Sequence, residues 1–529
     1  MYNDRALRSF SNHLRKYAGL FWNEKTQVYI ISIWTALPLV VARFLPVYDY
    51  PQWVYQAHVI SNFNYFRDFF DIRWIPVPNL GSTLLLSIPA LIFGAESGAK
   101  ILLVLNVLLF ITGYSYFTLG VHGRLQNLKY LGPIFVYNYF FYEGFLSFYL
   151  GLTVLLWVFG YMLRISSWEN WRQILILSIF STLGYFLHLF IWLPIALYVL
   201  LQILLCRLPA KVLASQIPPL ALVSIYSLYR AGNSDIHLQL YVSVLNKLFS
   251  IVGPILPFQR VDPFPSIIPV LFTNLLAVLF VGFILLRQLK IQKRNWRIDI
   301  NVLQNRTLWV TCGFLFLIGI AIPFTWFAGM GNLDQRFVFI AFLLGLPLIL
   351  SLLKLDINKG LAITTSVIFI ILHTSIFLSV DGQLKAIHQT LKTIPTDSSI
   401  YVGLFRDYPV YGECMPHLAN YGNGIFSLQW FPLYYAVEQK TTIASTFNTA
   451  ILRLKPETEP QMIFGEYIAQ EDRDQLVQKI DTGQINEDLL LIFKCPNVSI
   501  ENEIKTQYNL FASGNYFDLF THNQYSNPH

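Results

Sequence analysis

Asp49 stands just beyond the end of the first apolar run, in the stretch Arg43 to His58 (R-F-L-P-V-Y-D-Y-P-Q-W-V-Y-Q-A-H). A carboxylate there can take a proton from an attacking hydroxyl. The same residue also begins the pattern Asp49-Tyr-Pro-Gln52, an N-cap acid with an early proline and a glutamine at the third position, which is how a capping box reads. Arg43 is placed to pair with Asp49, to hold a lipid phosphate or to snorkel to the headgroups. If a helix runs on from Pro51, Asp49 and His58 lie on opposite faces, so His58 is a separate candidate contact and not the partner of an acid–base pair.

Further along are other residues able to do chemistry. Arg67, Asp68, Asp71 and Arg73 share the segment that follows, where the arginines can clamp a phosphate or form local salt bridges. Glu143 and His188 fall at the ends of apolar runs and are either ligand contacts or helix-end residues. Arg336 opens a late apolar run. A phosphate at such a helix start gains from the guanidinium and the helix dipole together, while pairing with Asp334 is the structural alternative. Asp235, His237 and Asp262 complete the set, and Trp53 and Trp74 are possible stacking platforms for a sugar.

These residues must be positioned by a membrane fold. Of 529 residues, 55% are hydrophobic and only 13% charged, against about a quarter charged in soluble proteins. Apolar runs of roughly 20 residues recur along the chain. The first, 28–46, follows a polar, basic segment (1–27) and lacks a small-residue cleavage site, so it reads as a retained span. A long loop, 47–98, comes next; its apolar part, 80–93, is short and contains Pro89, and we read it as an interfacial helix. Spans are then expected at about 99–118, 133–146, 147–163, 173–187, 189–206, 213–230, 266–286 and 307–327. One more ends at Lys354, and a last runs over 361–380. This arrangement gathers the basic clusters, including Arg287 to Arg297, on one side. The positive-inside rule therefore predicts eleven spans with a cytoplasmic N-terminus.

From about 384 the composition becomes that of a soluble protein. A helix over 382–393, a strand at 399–405, a helix at 471–480 and a strand at 488–494 predict a small α/β or α+β domain, 384–529, on the outer face. The expected fold is thus an all-α polytopic membrane domain (28–383) followed by this extracytoplasmic domain.

Several classes are excluded or weakened. The basic residues cluster between spans, so they report topology and not nucleic-acid binding. No phosphate loop or nucleotide fingerprint faces the cytoplasm. Ionisable residues sit near the outer interface and not at mid-span, unlike those of a proton-driven transporter. Cys206, Cys312, Cys414 and Cys495 show no zinc or haem spacing; Cys414 and Cys495 could pair. The chemistry therefore faces outward, at a surface that can receive a lipid-borne substrate.

The order of these features resembles the GT-C superfamily of integral-membrane glycosyltransferases: an acid directly after span 1, a long outer loop, further spans and an outer C-terminal domain. The run Asn138-Tyr-Phe-Phe-Tyr-Glu-Gly-Phe-Leu-Ser-Phe-Tyr-Leu-Gly151 is similar to an N-x-x-F-x-x-G-F-x-N-x-x-L-G pattern of bacterial members, departing at Ser147. Gly184 to His188 and Arg336 also resemble the family, and His417 echoes it. The resemblance implies an inner-membrane enzyme that moves a sugar from a polyprenyl-phosphate donor to an extracytoplasmic acceptor, with inversion and with Asp49 as general base. Some branches carry a second acid where this chain has Tyr50, so a divalent metal is possible and its requirement stays open. A lipid or polysaccharide transporter and a non-catalytic scaffold are the competing classes.

Overall fold

The computed structural model describes residues 24–122, 127–165, 167–205, 207–231, 247–248, 251–255, 261–262, 305–322, 333–352, 357–394, 398–404, 425–426, 430–443, 451–464, 473–493, 501–514 and 517–525. The expected span at 266–286, its basic cluster, Asp235, His237, the Asp262 side chain, His417, Cys206, Cys414, Cys495 and most of the N-terminal segment lie outside the described residues.

The first apolar run folds as α1 (Glu24–Thr35) and α2 (Leu37–Val41), separated at Ala36 and with Pro38 at the start of the second piece. A proline there cannot donate to the preceding turn, so the helix breaks. The chain then leaves α2 with two free amides, Arg43 N–H and Phe44 N–H, which both donate to Asp381 Oδ1, at 3.0 and 2.8 Å.

Next comes α3 (Tyr50–Ser61). Its residues from Tyr50 to Val59 are all buried. A helix apolar on one side only would show a wet face; this one is enclosed. Phe70–Ile72 forms strand β1, and α4 (Leu80–Phe93) follows, with Ile88, Leu91, Ile92 and Phe93 exposed. The chain turns at Gly94 into α5 (Ala95–His122). The two helices meet so tightly that a Cβ on Gly98 would lie 2.5 Å from the backbone of Pro89 and Ala90.

The expected span at 133–146 is not one helix. The chain runs as a 3-10 helix (Asn127–Phe135), a single turn α6 (Tyr139–Tyr142) and then α7 (Leu146–Arg164). Pro133, the Asn138 side chain accepting from Phe141 N–H at 3.1 Å, and Gly144 at φ +75° account for the interruptions. The result is a folded turn buried in the helix bundle. Then come α8 (Trp171–Leu187), α9 (Leu189–Leu204), α10 (Ile217–Ala231), α11 (Arg306–Ala321), α12 (Leu333–Leu352) and α13 (Lys359–Leu391).

Among the described residues, five stretches are long and apolar enough to cross a membrane: Ala95–His122, Leu146–Arg164, Ala210–Tyr229, Leu333–Leu352 and Lys359–Leu391. Four shorter apolar helices accompany them (Leu80–Phe93, Trp171–Leu187, Leu189–Leu204 and Arg306–Ala321). The protein is a mostly helical membrane protein. The last expected span and the helix at 382–393 are a single helix of 33 residues, about 50 Å long. Position 383/384, where the composition changes, falls inside it.

Beyond α13, the strands expected at 399–405 and 488–494 form as β2 (Ile400–Leu404) and β5 (Leu489–Phe493). A segment between them carries α14 (Leu433–Gln439), β3 (Leu452–Leu454) and β4 (Met462–Phe464); α15 (Arg473–Asp481) precedes β5. With β6 (Tyr508–Ser513) and β7 (Phe517–His522), these make a five-stranded mixed sheet ordered β4-β2-β5-β7-β6. Strand β5 is buried along its whole length, as its unbroken Leu-Leu-Leu-Ile-Phe run requires.

One strand leaves this pattern. β3 pairs antiparallel with β1, Phe70 opposite Leu454 and Ile72 opposite Leu452. The C-terminal chain thereby closes over the loop after α3. Tyr55 OH donates to Thr441 O at 2.8 Å, and Phe44 packs against Phe431 and Tyr434.

Candidate active site

Asp49 is the N-cap residue of α3 by position, yet its side chain makes no capping hydrogen bond. The capping-box reading is therefore corrected. Asp49 has helical dihedrals (φ −85°, ψ −1°), not the extended ones that aim a cap side chain at the first turn. Pro51 has no N–H, and Gln52 N–H donates to the Asp49 carbonyl at 3.1 Å. Gln52 Oε1 has no partner among the described residues, so the reciprocal half of the box is missing too. The carboxylate is 4% exposed and free for another role.

What faces it is the turn between α6 and α7. Tyr48 N–H donates to Tyr142 O (2.8 Å), Asp49 N–H to Glu143 O (3.3 Å) and Trp53 Nε1–H to Gly144 O (2.9 Å). Trp53 is thus a buried clamp and not an open stacking platform; Trp74 is exposed. Gly144 is needed twice here. Its φ is +75°, and a Cβ would lie 2.5 Å from Asp49 N and 2.9 Å from Asp49 Cα.

This contact brings two acids together. Burial, with the charge of Glu143 beside it, holds the Asp49 carboxyl well above the ordinary carboxylate range. Burial pushes Glu143 up to about 8, against a hydrogen bond from Tyr139 that lowers it. Two adjacent desolvated carboxyls cannot both ionise readily. Both shifts favour the protonated form, and an ionised Glu143 opposes ionisation of Asp49 further.

Tyr139 also lies within electrostatic reach of Arg336. Arg336 is 8% exposed and sits in the first turn of α12. Its guanidinium carbon is 4.9 Å from the Phe145 ring centre, 5.6 Å from Phe148 and 5.7 Å from Phe190. Asp334 does not neutralise it: Asp334 Oδ2 accepts from Lys247 Nζ at 2.9 Å. Among the described residues Arg336 has no carboxylate partner, and its Nε is buried without a hydrogen bond. A buried cation at the positive end of a helix is unfavourable twice over unless an anion joins it.

His188 stands between α8 and α9, its Nδ1 accepting from Phe190 N–H at 3.2 Å and its ring against Phe148 and Phe190. It therefore shares two aromatic walls with Arg336. Asp49, Glu143, His188 and Arg336 all border the 139–148 segment.

The other expected site residues are elsewhere. Arg43 bonds Glu438 (2.8 Å) and Glu96 (3.4 Å), and Glu438 also meets His388 (3.1 Å). Arg43 is thus a neutralised tie between three parts of the chain and not the partner of Asp49. Arg67 lies 3.9 Å from Asp68 on the surface, both exposed. The Arg73 backbone donates to Ile451 O at 2.7 Å, continuing the β1–β3 pairing. Neither arginine joins the acids. His58 is nine residues from Asp49 and lines a different cavity.

Two members of the site were not expected in their roles. Tyr139 and Gly144 lie within the Asn138–Gly151 run, but nothing in their spacing shows that Tyr139 bonds Glu143 or that Gly144 packs on Asp49. Among the described residues no group of three or more His, Cys, Asp or Glu side chains could hold a metal. Val47, Tyr50, Gly144 and Tyr149 border a cavity of about 10 Å³ beside Asp49, the size of one water.

The site and fold define a membrane protein in which a buried acid, a half-buried acid beside it and a buried cation all border one turn. No family model matches the chain, and no curated protein matches it. Similar solved structures include ArnT from Cupriavidus metallidurans, bound to undecaprenyl phosphate and in the apo state. Each is 12% identical to this chain, with 96% of this chain and 98% of that chain covered and a TM-score of 0.43.

Proposed function

We propose that the protein is a membrane glycosyltransferase that takes a sugar from a polyprenyl-phosphate donor on the extracytoplasmic side of the inner membrane. An acceptor hydroxyl on a lipid, glycan or protein attacks the anomeric carbon as the bond to the phosphate oxygen breaks on the opposite face, with inversion. The hydroxyl proton passes to Asp49 of the Asp49–Glu143 pair. The polyprenyl phosphate leaves with its negative charge against Arg336, with His188 at the same aromatic wall.

The observation that carries this reading is the buried Asp49 beside the half-buried Glu143, on the same turn that an un-neutralised Arg336 borders. General-base transfer to a sugar with a phosphate leaving group needs those two functions, a tuned carboxyl and a cation that lacks its own anion. The donor class comes from the resemblance in the sequence.

The test is sugar transfer by membranes supplied with polyprenyl-phosphate sugars, comparing wild type with Asp49→Asn. Loss of about 10²- to 10⁴-fold is expected for removal of a positioned base. Unchanged transfer in the variant defeats the mechanism.

A further inference from the structure

A second cavity lies at the other end of α3. Its volume is about 400 Å³, within the roughly 300–1,000 Å³ of small-molecule sites. The last turn of α3 and its cap supply His58, Ser61 and Asn62; the first turn of α5 supplies Glu96 and Ser97; Leu91 and Phe93 stand at its apolar side.

His58 is 7% exposed. Asn62 Nδ2 lies 3.3 Å from its Nδ1, a contact whose direction follows the ring tautomer. That Nε2 is buried and has no partner among the described residues. Burial and the nearby Lys440 charge lower the imidazole to about 4, so near neutral pH it stays uncharged, with one ring nitrogen a donor and the other an acceptor. A buried polar atom left unmet is costly, and a bound partner relieves it. Across the cavity, Glu96 gives one carboxylate oxygen to Arg43; its other oxygen can accept from a ligand.

The ligand must therefore pair with His58 Nε2 in whichever role the ring takes and donate to Glu96. A hydroxyl does both. A phosphate dianion cannot donate and is repelled by Glu96, and a quaternary ammonium leaves His58 unmet. Beside the cavity α4 exposes Ile88, Leu91, Ile92 and Phe93 in succession, a surface suited to hydrocarbon in a membrane protein.

We propose that this cavity binds the hydroxyl-rich, uncharged headgroup of a membrane amphiphile, a glycosyl lipid, whose chains lie along α4. The site goes beyond the transfer reaction and does not depend on it. His58 is nine residues from Asp49, about 13 Å along the helix axis.

Binding is measured with the full chain in phosphatidylcholine nanodiscs, with empty discs subtracted. The probes are dodecyl glucoside, dodecyl phosphate, dodecyltrimethylammonium and methyl glucoside. Saturable binding of dodecyl glucoside is expected, tighter than that of the other three. His58→Phe should weaken it by about tenfold, the effect of losing one buried hydrogen bond, and His58→Gln should restore most of the loss. Ser97 is exposed at the cavity wall, so Ser97→Phe narrows the cavity without touching the core and should weaken binding even if His58→Phe fails to fold. Equal binding of the phosphate or ammonium probe overturns the headgroup assignment. Equal binding of methyl glucoside shows a free-sugar site and overturns the lipid assignment. Unchanged glucoside binding in Ser97→Phe overturns the location.

Discussion

Arg43 and Arg336 have similar surroundings at first sight. Each guanidinium lies over a phenylalanine, Arg43 at 4.7 Å from Phe44 and Arg336 at 4.9 Å from Phe145. Each stands beside an apolar run, and by sequence each could hold a phosphate. They differ in what neutralises them. Arg43 has two carboxylates, Glu96 and Glu438, and its side chain is 39% exposed. Arg336 is buried in the first turn of α12, and the acid two residues before it is bonded to Lys247. The first arrangement is a satisfied tie, stabilising by little because water already screens it. The second keeps a cation desolvated with its charge unmet, a cost that a fold retains only where something else uses the charge. Residual charge after pairing, and not residue type, separates the structural arginine from the candidate ligand.

This contrast can be broken by experiment. The largest effect is expected at Arg336. Arg336→Met should cut transfer at least about 100-fold, as loss of a preorganised charge does, while the melting temperature in detergent stays level or rises. A lower melting temperature would show that the guanidinium has a structural partner and would erase the contrast.

Gly144→Ala should come next. The left-handed backbone and the approach to Asp49 leave no space for the methyl group. A stability loss of about 1–3 kcal/mol is expected from the strained dihedrals alone, with loss of transfer as Asp49 shifts. Chemical denaturation and the transfer assay check the two parts separately.

Glu143→Gln sharpens the acid pair. A carboxyl raised from 4.5 to about 8 binds its proton more tightly in the folded state than in the unfolded one. Its stabilising effect is complete below pH 4.5 and is lost progressively as pH rises through about 8. The wild type should therefore lose melting temperature between these limits, and Glu143→Gln should flatten the curve. A variant as steep as wild type removes Glu143 as the cause.

The smallest effect is expected at Glu438. Glu438→Gln leaves Arg43 with Glu96 and should cost about 1 kcal/mol or less, reduced further by salt, with transfer unchanged. Chemical denaturation at two salt concentrations tests this; a large loss of transfer would place the Arg43 cluster in the site after all.

Much of the helical layout could be read from the chain, because long apolar runs have few alternatives to helix in a membrane. The stretches at Ala95–His122, Leu146–Arg164 and Leu333–Leu352 lie where spans were expected. The buried strands at Ile400–Leu404 and Leu489–Phe493 were legible for the same reason, as short apolar runs in a polar region. The expected span at 133–146 was not a helix, because apolar content also suits a buried turn. Pro133, Asn138 and Gly144 decide between the two locally. At the site, Asp49 could be singled out by its position after the first apolar run. Its capping pattern was misleading, since hydrogen bonds to the 142–144 turn fix its backbone first.

By itself the sequence determined that the chain enters a membrane, which runs become helices and which few polar residues are available for chemistry. Composition and periodicity fix these, since they follow from transfer of side chains out of water and local hydrogen bonding. Only the tertiary structure decided which of those residues meet. Glu143 joins Asp49 across 94 positions, β3 crosses back to β1, and Arg43 and Arg336 part company through carboxylates at Glu96, Glu438 and Asp334. Burial and charge pairing depend on groups far apart in the chain, and local pattern carries no record of them.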